Sequence, residues 1–212
     1  PKETDRTKPS HSQSLAASWK IILKNRQVMG MLAFVFFISL ANDNLFVIYG
    51  VWLEQSYHLS IAAIGFGTIL IGIAELLGEG GTALFADRIG LKNSILAGMV
   101  FCSLAYFSLP LLDRGLVFVM AGLFMIFLTF EFSMVTAMSL STELVPELRA
   151  STMSAFFATA GLGRVVGAFS GGFLWNGSGI LSISLISGCC MLIALISFYF
   201  GFYTKKEPGH GR

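Results

Sequence analysis

The chain has 212 residues, of which 55% are hydrophobic and only 12% charged, and its mean hydropathy is +0.75, whereas soluble domains carry about 25% charged residues. A water-soluble fold cannot hide that much apolar surface, and a net charge of +2 with the bases scattered among loops gives no reason to expect a nucleic-acid partner. Cys102, Cys189 and Cys190 all fall in apolar stretches, where they read as small packing residues, so no disulfide framework, metal site or cofactor is expected.

The opening segment, Pro1 to Gln27, is polar, rich in Lys, Ser and Thr, and has no signal-peptide pattern. It reads as a cytoplasmic linker, and the chain as a piece of something longer. Six long apolar stretches follow, at Val28 to Leu53, Ala62 to Ala86, Ser94 to Leu112, Leu116 to Leu140, Ser151 to Leu174 and Ile180 to Tyr203. A bilayer core of roughly 30 Å needs about 20 helical residues to cross it. Barrel strands would be about 10 residues of alternating polarity, which these continuous runs are not. The expected fold is an all-α membrane protein with six transmembrane helices over residues 28–203 and a tail at 204–212.

With the amino terminus inside, the inner segments hold Lys2, Arg6, Lys8, Lys20, Lys24, Arg26, Arg88, Lys92, Arg149, Lys205, Lys206 and Arg212, which is 12 of the 14 basic residues. The positive-inside rule then puts both termini in the cytoplasm of a multi-pass plasma (inner) membrane protein. Lys20 to Arg26 could also hold anionic lipid, beside their part in setting topology.

Five ionisable residues interrupt the apolar stretches: Asp43, Glu75, Glu79, Glu131 and Arg164. Insertion of such a residue near a helix centre costs about 2.5–3.5 kcal/mol, so each is expected to face protein or water. Asp43 and Glu131 each lie 15 residues after the start of their stretch, and Glu75 and Arg164 each lie 13 after theirs. The six helices therefore divide into two three-helix repeats, and an odd number of crossings inverts the second relative to the first, bringing the matching residues together near the midplane. The plainer reading is that each is a buried polar contact between helices. Glu75 and Glu79 stand one helical turn apart, and carboxylates that close disfavour joint ionisation; Arg164 could instead hold one of them charged. Asp43, flanked by Asn42 and Asn44, could bind a polar substrate or satisfy neighbouring helices.

Three motifs lie outside or across these stretches. After the second, the run from Ala83 through Asp87, Arg88 and Gly90 to Lys92 joins a tight turn to an acid and two bases. Between the fourth and fifth, Glu143 and Arg149 flank Pro146, which breaks the helix. In the fifth, Gly163, Gly167 and Gly171 line one face, with Gly172 beside them, and permit close backbone approach.

The first of these resembles the loop signature of the major facilitator superfamily, with Ala83 in place of the usual Gly and Leu91 where a base is usual. The glycine run is similar to that superfamily's antiporter motif, with Ala168 where Pro is expected, and Glu143 with Arg149 looks like its second acid and base pair. The resemblance implies a six-helix half-bundle, taken as the carboxy-terminal half because a polar lead precedes it and the loop signature is degenerate. It also implies a cytoplasmic gate of Asp87, Arg88, Gly90, Lys92, Glu143 and Arg149.

The implied function is half of a secondary active transporter, a permease that moves a small molecule by alternating access. Proton coupling through a buried carboxylate and an efflux direction are expected. Its partners would be the substrate, protons, the lipid bilayer and the missing amino-terminal half. Asn42, Asp43, Asn44, Glu75, Glu79, Glu131 and Arg164 are the candidate substrate or proton ligands. An intramembrane enzyme is disfavoured because His11, His58 and His210 all lie outside the apolar stretches. A six-span channel or non-transporting scaffold is the alternative, although nothing resembling a selectivity filter lies between the stretches.

Overall fold

The computed structural model describes residues 15–203, with side chains from 19 onward other than that of Asp87. Most of the proposed linker and the whole tail at 204–212 lie outside the described residues. Among those described, every regular element is helical: α1 (Leu15–Lys24), α2 (Arg26–Phe46), α3 (Tyr49–Tyr57), α4 (Ile61–Gly81), α5 (Asp87–Ile89), α6 (Leu91–Leu112), α7 (Leu116–Leu144) and α8 (Arg149–Tyr203). Five helical runs are long and apolar enough to cross a membrane, the last of them 58 residues long.

That last run is two crossings. A 55-residue helix would extend about 80 Å at 1.5 Å per residue, far more than a bilayer core. It breaks at Ser178 and Gly179, where Gly179 takes φ +61° and ψ −143°, a conformation that a side chain resists. Contacts with α2 fix the direction of each leg. Gly163, Gly167 and Gly171 meet α2 successively at Phe36, Leu40 and Asn44, so the first leg runs parallel to α2. Ser187 then meets Asn44, Phe198 meets Phe34 and Gly201 meets Gly30, so the second leg runs back.

Local sequence explains the helix ends. Asn25 caps α2, its Oδ1 accepting from the backbone N–H of Gln27 at 2.9 Å and of Val28 at 3.3 Å. Ser60 caps α4 by accepting from Ala63 N–H at 3.3 Å. Gly90 takes φ +88° between α5 and α6, the left-handed turn for which glycine is suited. Pro146 begins a short 3₁₀ turn between α7 and α8.

Three local features depart from six plain rods. The polar lead contains α1, whose Ile22 is completely buried among Val28, Leu32 and Ala155, with Leu144, Val145 and Leu148 packed beside them. The first crossing is divided into α2 and α3 around Val47 and Ile48. The second ends in a π-helical turn at Thr82–Ala86 before α5.

Close backbone approach holds the helices together, as expected where lipid removes most of the hydrophobic drive. A methyl group on Gly167 would stand 2.5 Å from the Leu40 carbonyl oxygen, and one on Gly163 would collide with that of Phe36. Gly172, expected to share this contact, has open space where its side chain would be; it sits one residue, about 100°, round the helix from the packed face. On the other side of the bundle Gly78 of α4 lies against Leu128 and Phe132 of α7. Thr82 continues that contact, its hydroxyl 3.2 Å from that of Thr136 and donating to the Phe132 carbonyl at 3.3 Å. Across the middle, Tyr106 of α6 donates to the Ala41 carbonyl of α2 at 3.1 Å, amid a core of Phe34, Phe127 and Trp52.

Candidate functional site

The four membrane-embedded carboxylates and Arg164 collect on one side of the bundle. Asp43 is mid-way along the run from α2 to α3, Glu75 and Glu79 lie in the second half of α4, Glu131 is central in α7 and Arg164 is central in the first leg of α8. The glycine contact that seats Asp43 Cβ about 3.0 Å from where a Gly167 methyl would stand also brings Arg164, one turn earlier on that leg, within reach. Arg164 Nε lies 3.6 Å from Asp43 Oδ2, the sole ion pair among the described residues. Thus Arg164 pairs with Asp43, not with Glu75 or Glu79 as considered from the sequence. Its field still reaches Glu75 and Glu131, so one cation serves three carboxylates. Glu75 and Glu79 also lie near enough to act on Glu131.

A cavity of about 330 Å³ opens between α7 and the first leg of α8, with Glu79, Glu131 and Arg164 in its wall. The rest of the wall is mostly apolar, led by Phe130, Phe156, Phe157, Met134 and Met138. Glu131 is partly buried, Glu79 is exposed, and the side chain of Arg164 is 58% exposed against 19% for Asp43.

Sequence reasoning singled out the charges and passed over these phenylalanines and methionines. The signal was present: Glu131, Met134 and Met138 share one face of α7 at helical spacing, as Phe156, Ala160 and Arg164 do on α8. Finding it required asking which apolar residues accompany each charge around its helix.

The asparagines beside Asp43 differ in role. Asn44 is completely buried, its Oδ1 accepting from the Ser170 hydroxyl at 2.6 Å and its Nδ2 donating to Ser187 Oγ at 3.4 Å. Both ends of that amide are therefore occupied in joining α2 to the two legs of α8. Asn42 is 5% exposed, and its Oδ1 has no hydrogen-bond partner.

Two further hollows continue from the cavity toward the end where α1 and Tyr203 lie. One of about 350 Å³ shares Glu79 and Val135 with the first and reaches Glu143. The next, about 440 Å³, shares Leu91 and Glu143 and is lined also by Gly90, Lys92 and Tyr203. Three of the expected gate residues, Gly90, Lys92 and Glu143, therefore line one hollow. Arg149 does not pair with Glu143; its Nε donates to the Thr142 carbonyl at 3.1 Å. Arg88 is exposed, and the side chain of Asp87 lies outside the described residues. At the same end Lys92 Nζ sits 5.4 Å from the centre of the Phe202 ring and Tyr203 donates to Asn93 Oδ1 at 2.9 Å, tying α6 to the last turns of α8.

The residue pattern of the Major Facilitator Superfamily matches residues 31–212, nearly all of the helical bundle. The chain belongs to that superfamily. It is also 28% identical over 141 residues to a Bacillus subtilis (strain 168) protein described as the uncharacterized MFS-type transporter YceJ, a match that covers 66% of this chain and 36% of the relative. A major facilitator chain with these helices is a multi-pass membrane protein. The stretch in common is thus about a third of the length of that relative.

Proposed function

We propose that this chain is one six-helix half of a major facilitator carrier that moves a small molecule across the membrane by alternating access. The observation that carries this reading is the convergence of Asp43, Glu131 and Arg164, near the middle of three different crossings, on one side of the bundle, two of them in the wall of an open cavity. Charged groups at that depth mark substrate or ion paths. Family membership favours a carrier over an enzyme.

The bundle reads as two inverted three-helix repeats. Support comes from the exchange of partners: α2, first in one triplet, packs along the first leg of α8, second in the other. Reciprocally, α7, first in the second triplet, packs along α4 through Gly78 and Thr82. Such an arrangement places a site at the repeat interface. The second half of the carrier would cover the cavity, and the exposed apolar residues of α4 and α8, Phe66 and Phe169 among them, would face it or lipid.

Within this reading the coupling ion is the proton, exchanged at Glu131 and passed by Glu79 toward Glu143, residues that line neighbouring hollows. Asp87, Arg88, Gly90, Lys92, Glu143 and Arg149 form the cytoplasmic gate, both termini lie inside, and the carrier works as an efflux-type exchanger in the plasma membrane. Arg164, held beside Asp43, completes the polar surface; Asn44 belongs to the framework, and Asn42, also buried, is not among the residues lining the cavity.

The test is proton-driven transport in vesicles by this chain joined to its companion half, over a mixed metabolite and drug panel, with Glu131→Gln beside the wild type. Gradient-dependent accumulation lost in the variant supports the reading. Transport that survives the substitution returns Glu131 to packing, and no transport of any compound favours a scaffold.

A further inference from the structure

The cavity beside Arg164 is a carboxylate-bearing pocket with an aromatic and thioether wall, and that chemistry selects one class of solute. Resting on the carrier reading, we propose that it forms one wall of a binding site for hydrophobic organic cations.

Charge distribution is the first ground. Arg164 is engaged by Asp43 at 3.6 Å, while Glu79 and Glu131 line the cavity itself and Glu75 lies close enough to act on Glu131. The cavity wall holds two carboxyl groups and the Arg164 guanidinium, and with Asp43 and Glu75 close by, four carboxyl groups share that one base. Even with two of the four protonated, the group is negative. An anionic solute would share Arg164 with Asp43 and sit against Glu131 and Glu79, like charges whose repulsion low-dielectric surroundings strengthen. A neutral solute would leave the carboxylates without a counter-charge.

The second ground is the rest of the wall. Phe157, which is exposed, supplies a ring face, and the half-buried Met134 and Met138 supply polarisable sulfur, over a floor of buried Phe130 and Phe156. Aromatic faces attract cations through the ring quadrupole, and the attraction grows as water is excluded. Methionine adapts to varied apolar shapes. A small inorganic cation has no use for such a wall. A cation carrying alkyl or aryl groups uses both parts, its charge at Glu131 and Glu79 and its apolar surface on Phe157 and the methionines. At about 330 Å³ the cavity is at the small end of the range of roughly 300–1,000 Å³ for small-molecule pockets, as one wall of a larger site would be.

The experiment compares tetraphenylphosphonium with tetraphenylborate, ions of one shape and opposite charge. Binding is measured by equilibrium dialysis against the purified chain joined to its companion half, with protein-free micelles subtracted. Saturable phosphonium binding is expected, with affinity for the borate lower by at least about tenfold, and Glu131→Gln combined with Glu79→Gln should weaken the phosphonium by about tenfold or more. Borate binding as tight as the phosphonium, phosphonium binding untouched by the double substitution, or no phosphonium binding would each overturn the proposal. If the variant does not purify as a folded protein, the wild-type comparison of the two ions decides alone. Gradient-driven transport of anions or neutral solutes without phosphonium binding would sink the cation class and leave the carrier standing. Charge-selective phosphonium binding with no gradient-driven transport of any solute would support the cation site and sink the carrier.

Discussion

Asp43 and Arg164 illustrate what a single sequence reveals about charges in a membrane and what it does not. Their presence within apolar stretches was legible, because uncompensated charge in lipid is costly enough that each one needs a reason. Their partnership was not, because it depends on rotation and depth of two helices separated by more than a hundred residues. The pair should respond to substitution as a unit. Arg164→Gln alone should lower stability by about 1–2 kcal/mol, less than the ~3–5 kcal/mol of a fully buried pair because Arg164 is well exposed. Asp43→Asn in the same protein should recover part of that loss, a positive coupling that a double-mutant cycle on thermal unfolding in detergent would detect. Additive losses would mean that the two charges are independently satisfied. Asn44 has a different signature: with its amide bonded to Ser170 and Ser187, Asn44→Ala should destabilise the fold by about 1–3 kcal/mol, and the transport remaining per folded molecule should be unchanged.

At the level of elements, the ends of the apolar stretches agree with the helices to within a few residues, since hydropathy and turn chemistry are both local. The gap between the stretches ending at Leu174 and starting at Ile180 brackets the last reversal, and Asn25, Ser60 and Pro146 mark boundaries by mechanisms visible in the chain. The π-helical turn at Thr82–Ala86 had no such mark, because it depends on how α4 meets α7. Nor did α1, whose docking turns on the single buried residue Ile22. Glycine spacing predicted a close face on the fifth crossing but could not place its edge. Gly167→Leu should therefore cost about 1–3 kcal/mol or prevent assembly, by forcing α8 from the Leu40 carbonyl. Gly172→Ala should lie within about 0.5 kcal/mol of the parent. Fluorescence-detected size exclusion after a heating series would separate the two; equal behaviour would show that the first leg of α8 is turned differently.

For the whole molecule, the exchange of partners between triplets can be tested without knowing any substrate. In a background lacking Cys102, Cys189 and Cys190, Asn44→Cys with Ser170→Cys should cross-link α2 to α8. Thr82→Cys with Thr136→Cys should cross-link α4 to α7, since the native side-chain atoms lie 2.6 Å and 3.2 Å apart. A protease site in the loop after Leu112 would reveal both bridges as fragments that stay together until reduced. Failure of either would refute the pairing. The periodic placement of charges hinted at this symmetry from the sequence, whereas the aromatic wall of the cavity emerged only when α7 and α8 were brought together.

The reversal at Ser178 and Gly179 leaves almost no chain between the two legs of α8. A helix pulled singly from a bilayer needs slack behind it, and here there is none. Under force applied at the carboxy-terminal end, the second leg would load the first at once, and both should leave the membrane together as a hairpin. In a single-molecule extraction record the last two crossings would then appear as one rupture. The Pro146 turn, at Val145 to Leu148 between α7 and α8, provides the next place where the chain can yield.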